Sequence, residues 1–144
     1  LRELCASMGW EFAASNSKRI VSFTQQVRLV QHAAVAIGMH GANLVNSMFM
    51  PAGAFLIEVF PFAFSHSMYE HGLGAGLRYM NYTLTTRVDA PYLAAFAGNE
   101  RECVQRDPRC KIFYRGDRST HALNSKDLSA LRKLVALAML NASH

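Results

Sequence analysis

The sequence predicts an α/β domain built on a doubly wound parallel sheet. Three observations carry that prediction. Residues 33–39 and 55–60 form two runs that are mainly apolar and do not alternate with polar residues, which is how strands covered on both faces read. Candidate helices and strands alternate along the chain. The connections between them are short, as in folds that wind helices over a parallel sheet.

The elements follow in order. Leu1, Leu4, Cys5 and Met8 recur at helical spacing and Gly9 ends the pattern, so the chain opens in a helix. Residues 10–14 read as a short strand and 16–18 as a polar loop. Ser22, with Gln25 three residues on, makes a capping box for a helix over 23–31 that carries Val27 and Val30 on one face. The apolar strand at 33–39 comes next, and His40-Gly41-Ala42 is its turn. From Asn43 onward Leu44, Val45, Met48 and Phe49 keep helical spacing until Pro51 and Gly53 break it. Residues 55–60 are the second buried strand, ended by Pro61. A helix is expected over 68–73, and the alternation of 77–84 predicts a further strand. Residues 90–98 read as a linker or short helix, and 110–117 as an edge strand. Asn124 or Ser125 caps a last amphipathic helix over 127–140, with Leu128, Leu131, Leu134, Val135 and Ala138 on one face. The expected organisation is one domain, with a core over 1–92 and a closing strand and helix over 93–144.

Composition narrows the class. Of 144 residues, 51% are hydrophobic and 17% charged, which supports a packed core and argues against disorder. The net charge of +5 suits an acidic partner such as a phosphate, a nucleotide or a membrane surface. Much of the charge comes late, in Arg101, Arg106, Arg109, Lys111, Arg115 and Arg118. A nucleic-acid stripe wants aromatic residues between the cations for stacking. Only Phe113 and Tyr114 are there, and Glu102, Asp107 and Asp117 dilute the charge, so a solvated basic segment is expected and nucleic acid is not.

Cys5, Cys103 and Cys110 show no CxxC pair and no His/Cys ligand spacing, which speaks against structural zinc. Cys103 and Cys110 flank a short segment with Pro108 and can close a small disulfide in an oxidising compartment; in the cytosol they are free thiols. The sequons Asn81-Tyr82-Thr83 and Asn141-Ala142-Ser143 lean toward a lumenal chain. No apolar run reaches the length of a membrane span and no signal peptide is visible, so any anchor of a parent protein is expected outside this segment.

Two residues stand out against their surroundings. His40 follows one buried strand and Glu58 closes the next apolar run, so both are expected at strand ends. Ligands of open α/β sheets bind outside the carboxyl ends of strands. Gly41 lets backbone approach a ligand closely. The head of the following helix favours an anion, by about 0.3–1 kcal/mol from the dipole. His40 can add a hydrogen bond to a phosphate oxygen, and Glu58 can accept from the two hydroxyls of a ribose, each charged hydrogen bond contributing roughly 1.5–3 kcal/mol. The plainer alternatives stay open: His40 as a satisfied structural histidine, Glu58 as the cap of the next turn, Asn43 and Asn46 as cap and exposed helix residues.

Residues 21–61 also resemble the core signature of glycosyltransferase family 61. Its elements stand here in order: Ser22, Gln26, His40, Gly41, Ala42, Leu44, Asn46, Phe49, Pro51, Gly53, Glu58 and Pro61. The likeness continues loosely through 77–84 and 106–135. It implies an inverting transferase of the GT-B type, with two facing Rossmann-like domains, of which this chain is most of the carboxy-terminal, donor-binding one. The implied donor is a UDP-sugar, commonly UDP-GlcNAc or UDP-xylose. The implied acceptor is a glycan or glycoprotein, and the compartment is the endoplasmic reticulum or Golgi lumen.

On that reading Ser22, Gln26, Gly41, Ala42, Asn43, Asn46 and Glu58 bind the donor. His40 steadies the departing diphosphate, and the catalytic base comes from the amino-terminal domain. No Asp-x-Asp cluster occurs, so no metal cofactor is expected.

Rival motifs are weaker. Gly72, Gly74 and Gly76 do not make a dinucleotide fingerprint, because its last glycine position holds Leu77 and no strand precedes it. His40-Gly41 is similar to the oxyanion strand of lipases, but there is no G-x-S-x-G elbow. Arg115-Gly116-Asp117 is assigned no role. The alternative function is a catalytically incomplete module that binds a nucleotide or a partner protein.

Overall fold

The computed structural model describes residues 1–14, 22–66, 68–72, 76–116 and 121–142. The polar loop expected at 16–18, most of the glycine-rich segment after residue 72, and Asp117 and Arg118 lie outside them.

Three strands, β1 (Val35–Met39), β2 (Phe55–Phe60) and β3 (Arg78–Thr83), form a parallel sheet in chain order. Ile37 pairs with Ile57, which pairs with Met80. The α/β class and the parallel sheet are as the sequence predicts. β2 is buried at every position, because it has a strand on each side and cover on both faces.

Helices α1 (Arg2–Ser7) and α6 (Ser125–Ala142) cover one face. There Phe55 and Ile57 pack with Cys5, Val135, Ala138 and Met139, and Val35, Ile37, Met80 and Trp10 join them. Side chains alternate along a strand, so Gly38, Glu58, Phe60, Tyr79 and Asn81 face the other way. Both crossovers run over that second face: a 3-10 helix (Ala42–Phe49) after β1, and α3 (Met68–Gly72) after β2. A Cβ at Gly38 would stand 2.8 Å from Leu44 Cδ2, which shows how closely the first crossover lies on the sheet.

Local signals place several elements as expected. Ser22 and Gln25 form the capping box of α2 (Phe23–Val30). Gly9 at φ +73° ends α1, with Trp10 N donating to Cys5 O and Gly9 N to Ala6 O, the paired bonds of a Schellman cap. Asn124 caps α6: its Oδ1 accepts from Asp127 N, and Asp127 Oδ2 accepts from Asn124 N.

Four expectations are corrected. Residues 10–14 form no strand, because the Trp10 amide closes the α1 cap and Trp10 and Phe12 pack on the α6 face of the sheet. Residues 42–49 are 3-10 rather than α-helical. The edge strand expected over 110–117 is absent from its described positions. Described positions 110–116 belong to helix α5 (Pro108–Gly116), which follows α4 (Glu100–Arg106). Asp107 caps α5 by accepting from Arg109 N, and Pro108 sits at the first helical position, where its missing amide costs nothing. On α6, Leu128 is exposed and the buried stripe begins instead at Asp127 and continues through Leu131, Val135 and Ala138.

A disulfide joins Cys103 to Cys110, linking α4 to α5, and both residues are buried. Cys5 is a free, buried thiol. Among the described residues no helix is long and apolar enough to cross a membrane.

Candidate functional site

His40 leaves β1 still paired to the sheet, its amide donating to Val59 O over 2.8 Å. Its side chain falls on the crossover face. Gly38, two residues back, is the register partner of Glu58, so His40 and Glu58 are diagonal neighbours on one face. Tyr79 is the matching diagonal neighbour from the other side, because Glu58 pairs with Asn81. The register alone thus aims three functional side chains at one point.

The contacts follow. Glu58 Oε1 accepts from His40 Nδ1 at 2.6 Å, and Glu58 Oε2 accepts from the Tyr79 hydroxyl at 2.5 Å. Glu58 is 0% exposed and the His40 side chain 7%. A buried carboxylate must be paired to be tolerated, and here each oxygen has its own donor. The bond fixes the His40 tautomer: the proton on Nδ1 faces Glu58, and Nε2 is left for other work. Aromatic rings hold the imidazole, with centroids at 5.0 Å for Phe64, 5.3 Å for Phe60 and 5.9 Å for His66. Burial pushes the Tyr79 hydroxyl pKa far up, and the Glu58 hydrogen bond and charge push it further, so Tyr79 stays a donor. Burial, then the Glu58 charge, raises Tyr69 likewise. Tyr69 donates to Gly41 O over 2.8 Å and ties α3 to the turn after His40.

Glu58 therefore differs from the sequence reading in two respects. It lies inside β2 rather than at the strand end, and Val59 and Phe60 follow it in the strand. Its oxygens point at His40 and Tyr79 and are closed to solvent, so they are not open to ribose hydroxyls.

The other candidates fall in two groups. Gly41 precedes the 3-10 helix without any side-chain cap, and Ala42 and Asn43 are exposed beside it. Asn46 and Gln26 meet each other: Asn46 Nδ2 donates to Gln26 Oε1 at 2.8 Å and clasps α2 to the 3-10 helix, alongside an edge contact of the Phe23 and Phe49 rings. Ser22 is engaged as the α2 cap. The sequence reading missed Tyr69 and Tyr79, because only the sheet register and the packing of α3 bring them to His40.

Beside this cluster opens a cleft of about 460 Å³, lined by Phe60, Ser65, His66, Glu70, Tyr79, Asn81 and Thr83. That volume lies in the range of small-molecule sites. Phe60 and His66 also touch the His40 ring, and Tyr79 bonds Glu58, so cleft and cluster share three residues. Among the described residues no group of three or more His, Cys, Asp or Glu side chains could hold a metal ion. The described basic residues of α4 and α5 lie at the surface, where Arg106 pairs with Glu102 and Arg109 with Asp107.

Comparison with known proteins reaches His40 but, in the family match, stops short of Glu58, Tyr69 and Tyr79. Residues 1–57 match the family model described as Glycosyltransferase 61, so the resemblance read from the motif holds. Over 48 residues the chain is 44% identical to the protein O-linked-mannose beta-1,4-N-acetylglucosaminyltransferase 2 of Homo sapiens, 42% to that of Xenopus tropicalis and 38% to that of Danio rerio. Each match takes in 33% of this chain and only 8% of the relative, so the likeness is to a small part of those proteins.

Proposed function

Because residues 1–57 carry the sequence of glycosyltransferase family 61, we propose that this chain is the donor-side part of a glycosyltransferase. The reaction is inverting transfer of a sugar, GlcNAc, xylose or similar, from a UDP-sugar to a glycan or glycoprotein. The observation that carries the reading is the buried Glu58 carboxylate holding His40 at the end of β1, next to the uncapped Gly41 turn. That is the carboxyl edge of a parallel sheet, where α/β domains bind ligands.

In the transfer, the acceptor oxygen bonds to the anomeric carbon, the bond from that carbon to the diphosphate oxygen breaks, and UDP leaves with the electron pair. Negative charge grows on the diphosphate. Donors fixed in advance and aimed at that charge are the main lever available to the domain. His40 is held by Glu58 through Nδ1, so Nε2 is the nitrogen available to the leaving group, and it donates there when the ring carries a proton on both nitrogens. The Gly41–Asn43 amides act with it. Glu58 is a positioning residue here, in place of the ribose contact first expected. Gln26 and Asn46 support the site by fixing α2 on the 3-10 helix.

The wider frame is proposed as well. The chain forms the Rossmann-like donor domain of a GT-B enzyme, with its core in 1–92 and the catalytic base in the facing domain. It works without a metal cofactor, in the Golgi or endoplasmic reticulum lumen. The buried Cys103–Cys110 disulfide supports an oxidising compartment.

His40→Ala tests the reading. Donor turnover by the intact enzyme is expected to be lost while circular dichroism stays that of the folded protein. An unfolded variant would assign His40 a structural role. A second reading, a module that binds a nucleotide or protein partner without turnover, draws on exposed Phe23, Val45 and Met48 along α2 and the 3-10 helix. UDP binding by the chain without transfer by the intact protein selects it.

A further inference from the structure

The cleft next to His40 has a chemistry of its own, and the following rests on the donor reading above. Tyr79, Asn81 and Thr83 line it from β3 and Phe60 from β2, on the same face of the sheet. Ser65, His66 and Glu70 come from the crossover between those strands. The Asn81 amide and the Ser65 and Thr83 hydroxyls each both donate and accept. His66 Nδ1 accepts from Met68 N at 3.1 Å, which leaves Nε2 as the ring nitrogen able to donate. Phe60 supplies the apolar part of the lining. Among the described lining residues there is no Lys or Arg, and Glu70 brings a carboxylate.

Such a lining is wrong for a phosphate. No fixed cation would neutralise it, and Glu70 would repel it. It suits a ring of hydroxyl and amide groups, which donate and accept in turn and carry no charge. We propose that the cleft holds the sugar ring of the donor, and that Glu70 selects uncharged sugars by accepting from their hydroxyls and repelling any that bear a carboxylate. The diphosphate then lies toward His40 and Gly41, and the sugar toward Glu70. The two ends of the donor are sorted by charge: Glu58 is closed off under His40, whereas the exposed Glu70 faces the ligand.

Isothermal titration of the chain with UDP, UDP-N-acetylglucosamine and UDP-glucuronic acid tests this. UDP alone reports on the donor reading; if it does not bind, that reading falls and this inference with it. Given UDP binding, UDP-glucuronic acid is expected to bind at least about tenfold more weakly than UDP-N-acetylglucosamine, a difference of about 1.4 kcal/mol. Glu70→Gln is expected to shrink that ratio to roughly twofold or less. Asn81→Asp, which adds a second carboxylate to the lining, is expected to widen it, and gives an independent arm should Glu70→Gln fail to fold. Equal binding of the two sugars by the unaltered chain overturns the sugar cleft while the donor reading stands. So does discrimination that survives Glu70→Gln or stays unmoved in Asn81→Asp.

Discussion

His40 Nδ1 lies 2.6 Å from Glu58 Oε1, eighteen residues apart in sequence and diagonal neighbours on one face of the sheet. Glu58→Ala removes the carboxylate and leaves the His40 and Tyr79 donors without an acceptor, and is expected to lower stability by about 2–6 kcal/mol, roughly 1–3 kcal/mol for each unsatisfied group. Urea unfolding of the variant measures it. Glu58→Gln keeps the volume and one acceptor oxygen, and is expected to cost less stability but about 10–100-fold in donor turnover, as losses of groups that orient a functional histidine do. A Glu58→Gln enzyme with full turnover would remove Glu58 from the mechanism.

Asp127 links the end of β3 to the start of α6. It is 0% exposed, and its Oδ1 accepts from the Tyr82 hydroxyl and from both the amide and hydroxyl of Thr85. Burial is the largest single influence and pushes its pKa up, but the hydrogen bonds from Thr85, Asn124 and Tyr82 together outweigh it and hold the carboxyl below its ordinary value. A carboxyl depressed in the folded state adds stability above the unfolded pKa of about 3.9, and that stability is lost as pH falls through the folded value. The protein is thus expected to lose stability on acidification below about pH 4. In Asp127→Asn, urea midpoints at pH 7 and pH 3 are expected to differ less than in the unaltered protein. An unchanged pH dependence would assign the acid loss to other carboxylates.

The Cys103–Cys110 disulfide closes a loop with a sequence separation of seven. In the chain-entropy account a loop this short stabilises by roughly 2–3 kcal/mol. Replacing both cysteines by serine is expected to lower stability by about that amount and also to bury two hydroxyls where Cys103 and Cys110 are 0% exposed, so the serine pair sets the upper end. The double alanine variant isolates the cross-link. Thermal unfolding of oxidised, reduced and double alanine protein measures both contributions.

Metal independence is checked on the intact enzyme in excess EDTA. Transfer activity is expected to persist. Loss of activity that Mn²⁺ restores would overturn the proposal and point to ligands beyond the described residues.

Several local features were legible because neighbours in sequence determine them. Ser22 with Gln25 specifies the α2 cap, Gly9 the end of α1, and the apolar run of β2 its burial, whereas β1, read as equally covered, lies at the sheet edge and is only half-buried. Residues 110–117 misled because Ile112-Phe113-Tyr114 reads as strand. Asp107 before Pro108 was the stronger signal, a cap followed by a residue preset for the first helical turn. Leu128 misled because periodicity finds a stripe but does not say where the sheet lies; Asp127 is buried there by its partners Tyr82 and Thr85.

The sequence by itself determined the class of fold, several of the caps, and the presence of an unusual histidine and an unusual carboxylate in one signature, each read as a separate ligand contact. Only the tertiary structure decided what that pair does. The register of three parallel strands sets Gly38 and Asn81 on either side of Glu58, and so brings His40 and Tyr79 onto its two oxygens. A slip of one residue would send Glu58 to the opposite face, because side chains alternate along a strand. No local pattern encodes that choice. It is made by burying Phe55 and Ile57 under α6, which leaves Glu58 no direction but toward His40.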